Sequence, residues 1–152
     1  MFELRTEIEI EAPAATVWAI LTDTSMFPTW NPFIHRVEGE LRLGSTLEVE
    51  LGAPGKSKMI FKPTVVALEP NRALRWLGKL FMRGLFDGEH IFELEPKSNA
   101  SANGTRFIHR EEFSGLLVPL FRRLLERDTR PGFEAMNQAL KVRAEAQENA
   151  HR

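Results

Sequence analysis

The residues of this sequence that could do acid–base chemistry lie in two neighbouring runs with strand character. His90 lies in FDGEHIFELEP, and His109 and Glu111 lie in GTRFIHREEF. If the polar segment Lys97 to Gly104 is the hairpin turn between these runs, Phe92 faces His109 and His90 faces Glu111, all on one face of the sheet. A histidine beside a carboxylate can act as a general acid or base. His109 and Glu111 are therefore the candidate catalytic residues, but such pairs are often only structural, and we assign no catalytic residue from the sequence.

Other kinds of catalytic or metal site have no counterpart in the sequence. There is no cysteine and no tyrosine, so disulfides, thiolate metal ligands and cysteine nucleophiles are excluded. The four histidines are scattered, without a metal-binding spacing, and predict no metal site. The serine in FSGLLVP lacks the first glycine of a hydrolase elbow, and no phosphate-binding glycine loop is present. We therefore expect no metal and no cofactor.

Length, charge and the N-terminus limit the class of protein. A chain of 152 residues predicts a single domain over residues 1–152. The formal net charge of −1 argues against a nucleic-acid binder. The start MFELRTEIEIEAP is charged and alternating, unlike a signal peptide, and no apolar run reaches the roughly 18 residues of a spanning helix. Together with the absence of cysteine, this predicts a cytoplasmic protein, whose oligomeric state the sequence does not specify.

The N-terminal part of the chain predicts a strand, a helix and an aromatic segment. FELRTEIEI alternates, with Phe2, Leu4, Thr6, Ile8 and Ile10 on one face, which is typical of a half-buried strand. APAATVWAIL has helical spacing after a proline, and proline suits a first helical position. MFPTWNPFI then predicts a second, short and irregular helix broken by two prolines.

Strand-like runs follow as far as the final helix. They are Ile34 to Leu41, TLEVEL, KMIFKPTVVALE, ALRWLGKLF, LFDGEHIFELEP and GTRFIHREEF. The proline inside the third run makes it an edge or bulged strand. Short connections favour antiparallel pairing. With the N-terminal strand, the sheet has about seven strands, and a sheet of that size is twisted and curved.

The segment from about Val118 to Ala150 predicts a long amphipathic helix. Its apolar stripe consists of Phe133, Met136, Leu140 and Ala144. RPG at residues 130–132 predicts a break or kink, because proline removes a helical hydrogen bond and glycine weakens the next turn. One antiparallel sheet with helices on one face is an α+β arrangement, and a gap between a curved sheet and this helix can form a cavity.

Longer phrases of the sequence resemble a known superfamily. IEIEAPAATVWAILTDTSMFPTWNPFI, PNRALRWLGKL, FDGEHIFELEP, GTRFIHREEFSGLLVPL and FEAMNQALKVRAE follow one another over nearly the whole chain. They resemble the START and birch-pollen-allergen-like helix-grip superfamily (SRPBCC), and within it the branch described as polyketide cyclase/dehydrase and lipid transport. The resemblance implies a pocket between the sheet and the long C-terminal helix. It also implies binding of lipids, sterols, polyketides or plant metabolites, with catalysis in a minority of members.

The helix-grip pocket implied by this resemblance suggests a role for the large rings of the sequence. In this fold the short helical segment after the first helix closes one end of the pocket, so Phe27, Trp30 and Phe33 are expected to form a lid and wall, unless they only fill the core. The predicted ligand-binding residues are Phe27, Trp30, Phe33, Trp76, His90, Phe92 and His109. The rings supply contact area, and the histidines bind one polar group of the ligand.

The predicted function is the binding of a small, largely apolar ligand, such as a lipid, a polyketide or an aromatic metabolite. We favour a binding protein over an enzyme, because the resemblance implies pocket tyrosines or arginines in polyketide cyclases and this sequence has no tyrosine. The first alternative is a cyclase- or hydrolase-like enzyme that uses His109 and Glu111. The second is a protein-interaction module similar to the domain of the superfamily that activates a heat-shock chaperone.

Two apolar segments with arginines leave a further partner open. They are LGKLFMRGLF, from Leu77 to Phe86, and GLLVPLFRRLLERDTR, from Gly115 to Arg130. Apolar residues with a basic fringe suit a membrane surface or an acidic partner. Alternatively, the apolar residues face the pocket and the arginines are solvated. Peripheral membrane contact is therefore an open alternative at this stage.

Overall fold

The computed structural model describes residues 1–80, 82–97 and 103–151. In these ranges the chain forms eight strands, three α-helices and one 3-10 turn, Thr24–Met26. The strands are β1 (Phe2–Ile10), β2 (Ile34–Glu38), β3 (Glu48–Leu51), β4 (Met59–Phe61), β5 (Thr64–Glu69), β6 (Ala73–Leu80), β7 (Phe86–Pro96) and β8 (Thr105–Ser114). The helices are α1 (Ala14–Thr22), α2 (Phe27–Trp30) and α3 (Val118–Ala150). The predicted α+β class with a long C-terminal helix is confirmed.

The strands form two antiparallel sheets rather than one. One has the order β1-β8-β7-β6-β5 and the other the order β2-β3-β4. The sequence predicts about seven strands and the structure has eight, because one run predicted as a single strand forms both β4 and β5. Pro63 lies between these two strands, where its missing N–H ends the pairing. Backbone hydrogen bonds from Leu47 to Pro63 (2.8 Å) and from Val65 to Ser45 (2.9 Å) join the two sheets edge to edge.

The register of β7 and β8 is the one that the sequence predicts. Phe92 pairs with His109, and His90 pairs with Glu111. On the other side of β7, Trp76 of β6 pairs with His90. The N–H of Lys97 donates to the carbonyl of Gly104 at 3.3 Å, and residues 98–102 of the predicted turn lie outside the described residues.

Helix α3 packs against β1, β8 and α1. Its predicted apolar stripe is fully buried, at Phe133, Met136, Leu140 and Ala144, so this prediction is confirmed. Side chains at three- and four-residue spacing share one helix face, which here is the face against the sheet. Within the described chain, no helix is both long and apolar enough to cross a bilayer.

The C-terminal helix is not interrupted at Pro131, so the break in the predicted break or kink is wrong. Helix α3 runs from Val118 to Ala150 with Pro131 in its interior. Burial of the residues that follow, beginning with Phe133, stabilises the turn that the proline weakens. Gly132 has a different role, because a Cβ at this position would lie 2.4 Å from Cδ1 of Phe33. The glycine therefore allows a ring from the other end of the chain to touch the helix backbone.

Candidate functional site

A cavity of about 300 Å³ lies between β3, β4, β6, β7, β8 and the first half of α3. Most of its wall is apolar, formed by Phe33, Val49, Leu51, Met59, Phe61, Pro63, Trp76, Phe86, Phe113, Phe121, Leu124 and Leu125. The polar side chains in the wall are Lys79, His90, Glu111 and Thr129. An apolar concave site with a few polar groups is typical of small-molecule sites, and this volume is at the small end of their range.

A pair of glycines makes room at the floor of the cavity. Gly78 and Gly88 face each other across β6 and β7, and both line the cavity. A Cβ on Gly88 would lie 2.9 Å from Oε1 of Glu111, so any larger residue would displace that carboxylate. A glycine inside a strand weakens the strand, and here its missing side chain leaves space for a ligand and for Glu111.

The turn before β2 directs Phe33 into the cavity wall. The side-chain oxygen Oδ1 of Asn31 accepts hydrogen bonds from the N–H groups of Phe33 (3.0 Å) and Ile34 (2.9 Å). This side chain replaces a backbone turn, as asparagine often does. The ring of Phe33 then lies edge-on to Phe133 of α3 at 5.4 Å and over Gly132.

A chain of polar contacts leads from the cavity into the core. Nδ1 of His90 lies 3.6 Å from Oε2 of Glu111, and Nε2 of His90 lies 2.7 Å from Nε2 of His109. Nδ1 of His109 lies 2.9 Å from Oδ1 of Asn137. The amide of Asn137 donates to Oγ1 of Thr6 at 2.8 Å, and that hydroxyl donates to the backbone carbonyl of His109 at 2.8 Å. Five side chains from four elements, β1, β7, β8 and α3, are thus linked.

His109 is a neutral imidazole in this network. Its side chain is fully buried and stacks on Phe133 with a centroid distance of 4.0 Å. Burial holds the pKa of His109 well below its usual value, and the neighbouring His90 lowers it further, while the hydrogen bond with Asn137 raises it in part. A buried imidazole without an opposite charge is more stable without its second proton.

The structure brings only some of the predicted site residues to the cavity wall. Phe33, Trp76 and His90 line it, as does Glu111. Phe92 and His109 form a second layer behind His90, with ring centroids 4.7 Å and 4.8 Å from it. His109, one of the two candidate catalytic residues, does not line the cavity, and it contacts the lining residues His90 and Phe33 from behind.

Phe27 and Trp30 lie away from this cavity. The two residues are three apart on α2, so they share one helix face, and their rings meet edge-on at 5.3 Å. Phe27 is buried in the core, and Trp30 lies in a shallow groove against α3, beside Ala139 and Val142. The lid predicted for these two rings does not form over the cavity, because the Asn31 turn separates them from Phe33.

Sequence reasoning missed the inner end of the polar network. Asn137 follows Met136 on the buried face of α3, and it is buried itself. Thr6 is the polar residue among the inward-facing apolar residues of β1 and is also buried. A polar side chain on an apolar face must find a hydrogen-bond partner in the core. A polar residue on an apolar face was therefore the signal available in the sequence. It does not show which residue forms the hydrogen bond.

The two apolar segments that the sequence left open as pocket wall or as membrane or partner surface divide between cavity and solvent. Phe86, Phe121, Leu124 and Leu125 line the cavity. The outward group, which we call the rim patch, consists of Met82, Leu116 and Leu120, with exposed fractions of 68%, 81% and 76%. Part of the predicted basic fringe is neutralised, since Arg127 bonds to Asp128 and Arg130 to Glu126. Phe81 of the segment Leu77 to Phe86 lies outside the described residues.

The sequence of the chain matches one protein family over most of its length. Residues 1–145 match the family described as polyketide cyclase / dehydrase and lipid transport. The chain belongs to this family, as the resemblance in the sequence implied. No curated protein sequence matches the chain.

Solved structures share the fold at low sequence identity. The Zhui aromatase/cyclase from Streptomyces sp. R1128 matches with a TM-score of 0.77 and 17% identity, over 99% of this chain and 97% of that one. A norcoclaurine synthase point mutant from Thalictrum flavum matches with a TM-score of 0.72 and 14% identity, over 97% and 96%. A START superfamily protein from Mycobacterium smegmatis matches with a TM-score of 0.70 and 20% identity, over 95% and 98%. The predicted helix-grip fold is thereby confirmed.

Proposed function

We propose that this protein binds a small, largely apolar ligand in the cavity, with the polar group of the ligand at Glu111 and His90. The observation that carries this proposal is the composition of the wall, where apolar side chains surround a small group of polar ones. Apolar contact supplies affinity in such sites, and a small number of polar groups determine orientation. Membership of a family named for polyketide cyclisation and lipid transport supports a ligand of this class.

The rings have two different roles in this proposal. Phe33 and Trp76 supply contact area to the ligand, and His90 and Glu111 bind its polar group. Phe92 and His109 lie behind His90 and hold it in place. Phe27 and Trp30 are proposed only as supports of the core beneath α3.

The ligand classes proposed from the sequence are a lipid, a polyketide or an aromatic metabolite. The fold is shared with an aromatase/cyclase and with a norcoclaurine synthase, which favours an aromatic or polyketide ligand over a long acyl chain. The cavity of about 300 Å³ agrees with this choice, because it is at the small end of the range for ligand sites.

An enzyme of the cyclase or hydrolase type is the second candidate. The observation that favours it is the 3.6 Å contact between Glu111 and His90 in the cavity wall. In that case Glu111 and His90 exchange protons with the substrate, and His109 orients His90 instead of acting itself. Retention of every activity measured on candidate substrates by a folded Glu111→Gln variant would exclude this role.

Two further predictions from the sequence, contact with a membrane surface and a cytoplasmic location, are kept as proposals. The rim patch contacts a membrane surface while the ligand enters or leaves, since exposed apolar side chains lie beside the cavity-lining turn of α3. Co-sedimentation with liposomes of neutral and anionic lipid checks this contact, and equal recovery of a Leu116→Ser/Leu120→Ser variant removes the proposal. The cytoplasmic location predicted from the sequence is checked by fractionation of the host cell.

A cavity-filling substitution tests the binding proposal directly. A Cβ on Gly78 meets only Pro63 Cβ at 3.8 Å and the carbonyl of Gly88 at 3.9 Å, so Gly78→Leu projects into the cavity without a backbone clash. We expect it to abolish binding of the neutral fluorescent probe N-phenylnaphthylamine and to leave the melting temperature unchanged or higher, because a strand glycine is replaced.

The matched control is Val66→Leu, on an exposed position of β5, which should bind the probe like the wild type. Unchanged probe binding by a folded Gly78→Leu variant places the probe elsewhere and contradicts the proposal. Native mass spectrometry of protein purified from its host then identifies any small molecule that the wild type retains and Gly78→Leu loses.

A further inference from the structure

The polar network behind the cavity has only one consistent direction of hydrogen bonding. The hydroxyl of Thr6 has one proton, and it is given to the carbonyl of His109 at 2.8 Å. The Thr6 oxygen can therefore only accept from Asn137, so the group of Asn137 that lies 2.8 Å away is its NH₂. The amide oxygen of Asn137 then faces Nδ1 of His109 at 2.9 Å, and Nδ1 must carry a proton.

The same reasoning gives the proton on His90. His109 is buried and neutral, so its second nitrogen, Nε2, is a bare acceptor. The 2.7 Å contact between the two Nε2 atoms contains one proton, which belongs to His90. Each contact from Thr6 to Nε2 of His90 thus has one defined donor and one defined acceptor, and Nδ1 is the ring nitrogen of His90 that faces Glu111.

The edge of His90 that faces Glu111 carries its second ring nitrogen. Nδ1 of His90 lies 3.6 Å from Oε2 of Glu111, which is longer than a hydrogen bond. This contact therefore leaves the carboxyl group of Glu111 available to another donor. Its other oxygen, Oε1, lies 2.9 Å from the place that a Cβ on the cavity-lining Gly88 would take.

We propose that the carboxyl group of Glu111 is the acceptor at the polar end of the cavity, and that its Oε1 accepts a hydrogen bond from a ligand hydroxyl, phenolic or enolic. This rests on the proposed binding function. Glu111 selects a ligand that donates a hydrogen bond, and it disfavours an ether of the same size, which has no hydroxyl hydrogen to donate. His109, Asn137 and Thr6 are positioning residues, since they hold His90 in the tautomer that presents Nδ1 to Glu111.

The other polar side chains of the wall differ from this acceptor in kind. An ammonium group such as that of Lys79 has donors and no acceptor, and the hydroxyl of Thr129 on α3 is a neutral acceptor. Strands β3 and β4 contribute apolar lining residues, including Val49 and Met59. Glu111 is thus the carboxylate that faces the cavity among the described residues.

A matched pair of probes tests the ligand class. We expect the wild type to bind 2-naphthol about tenfold or more tightly than 2-methoxynaphthalene, because a hydrogen bond to a charged group is worth that much. Glu111→Met keeps the length of the side chain and removes the acceptor, so the ratio should fall to about one while the affinity for 2-methoxynaphthalene is retained. Glu111→Gln, with a neutral acceptor, should give an intermediate ratio and replaces Glu111→Met if that variant does not fold.

The outcomes separate this proposal from the proposed function. If neither naphthalene binds to the wild type, the binding function itself fails. If both bind with equal affinity, or if the Glu111 variants keep the wild-type ratio of the two affinities, the cavity binds ligands but the hydroxyl site is wrong.

Nitrogen-15 NMR of the imidazoles gives a second, ligand-free measurement on the wild type. We expect His109 with its proton on Nδ1 and His90 protonated on Nε2, and a proton on Nε2 of His109 would overturn the network.

Discussion

A neutral histidine in a protein core is stable only when both ring nitrogens are satisfied. His109 meets this condition through Asn137 on one nitrogen and His90 on the other, and Phe133 covers its ring face. A proton added to His109 would bring a second donor against the proton of His90 in a buried site. The native state therefore resists protonation of this residue, and the unfolded chain does not.

This difference predicts a pH dependence of stability. The pKa of His109 is lowered by folding, so its contribution to stability is present above the unfolded value of about 6.5 and is lost as the pH falls below it. We expect the free energy of unfolding to decrease between pH 6.5 and 5, with a contribution from His109 of up to about 1.4 kcal/mol per pH unit. Urea unfolding at several pH values measures the slope.

The comparison of two variants isolates the contribution of His109. His109→Gln cannot take up a proton in the unfolded state, so its slope below pH 6.5 should be shallower than that of the wild type. His151→Gln changes an exposed histidine and should keep the wild-type slope. Parallel slopes for His109→Gln and the wild type would show that His109 is not buried in its neutral form.

At the scale of elements, the contact between α3 and the turn before β2 depends on the absence of one side chain. Gly132 is inside α3, where a glycine is less favourable than alanine by about 1 kcal/mol. The ring of Phe33 occupies the space that a Cβ would need, with Cδ1 at 2.4 Å and Cε1 at 2.8 Å. At this position, packing of the Phe33 ring therefore favours glycine more strongly than helix propensity favours alanine.

We expect Gly132→Ala to destabilise the protein by about 1–3 kcal/mol, because overpacking exceeds the gain in helix propensity. The same substitution should weaken binding of N-phenylnaphthylamine, since Phe33 must leave its place in the cavity wall. Urea unfolding and a probe titration measure the two effects. In the background of Phe33→Ala, which removes both ring atoms that clash, Gly132→Ala should be less destabilising. Equal effects in both backgrounds would mean that the clash is elsewhere.

At the scale of the whole molecule, α3 has two halves with different surroundings. Its first half contributes Phe121, Leu124 and Leu125 to the cavity, while Leu120 is exposed. Its second half is buried along the stripe that begins at Phe133. Regions with fewer buried contacts open at lower free energy, so we expect the half of α3 over the cavity to be the half that moves to admit a ligand.

We expect faster amide hydrogen exchange over residues 118–130 than over residues 133–144, because the first segment has fewer buried contacts. Binding of N-phenylnaphthylamine should slow exchange in the first segment and leave the second unchanged. Hydrogen exchange with mass spectrometry measures both, with the Gly78→Leu variant as the control that does not respond to the probe. Equal protection of the two segments, unaffected by the probe, would indicate a rigid α3 and another route into the cavity.

Periodic features of this protein were determined by the sequence itself. The alternation in β1, the cross-strand pairs of His90 with Glu111 and of Phe92 with His109, and the buried stripe of α3 all follow from the repeats of strands and helices. The family was also evident from phrases distributed along the chain. These features depend on residues that are near one another in sequence or joined by one short turn, so local geometry is sufficient to predict them.

Only the tertiary structure decided which rings reach the cavity and which polar groups meet. Asn137 and Thr6 are 131 residues apart, and Thr6 and His109 are 103 apart, so no local period relates them. Whether Pro131 ended the helix depended on the burial of Phe133 in the next turn, and the use of Gly132 depended on Phe33. Long-range packing of this kind competes with local propensity and can override it, which is why the site could be predicted only in part from the sequence.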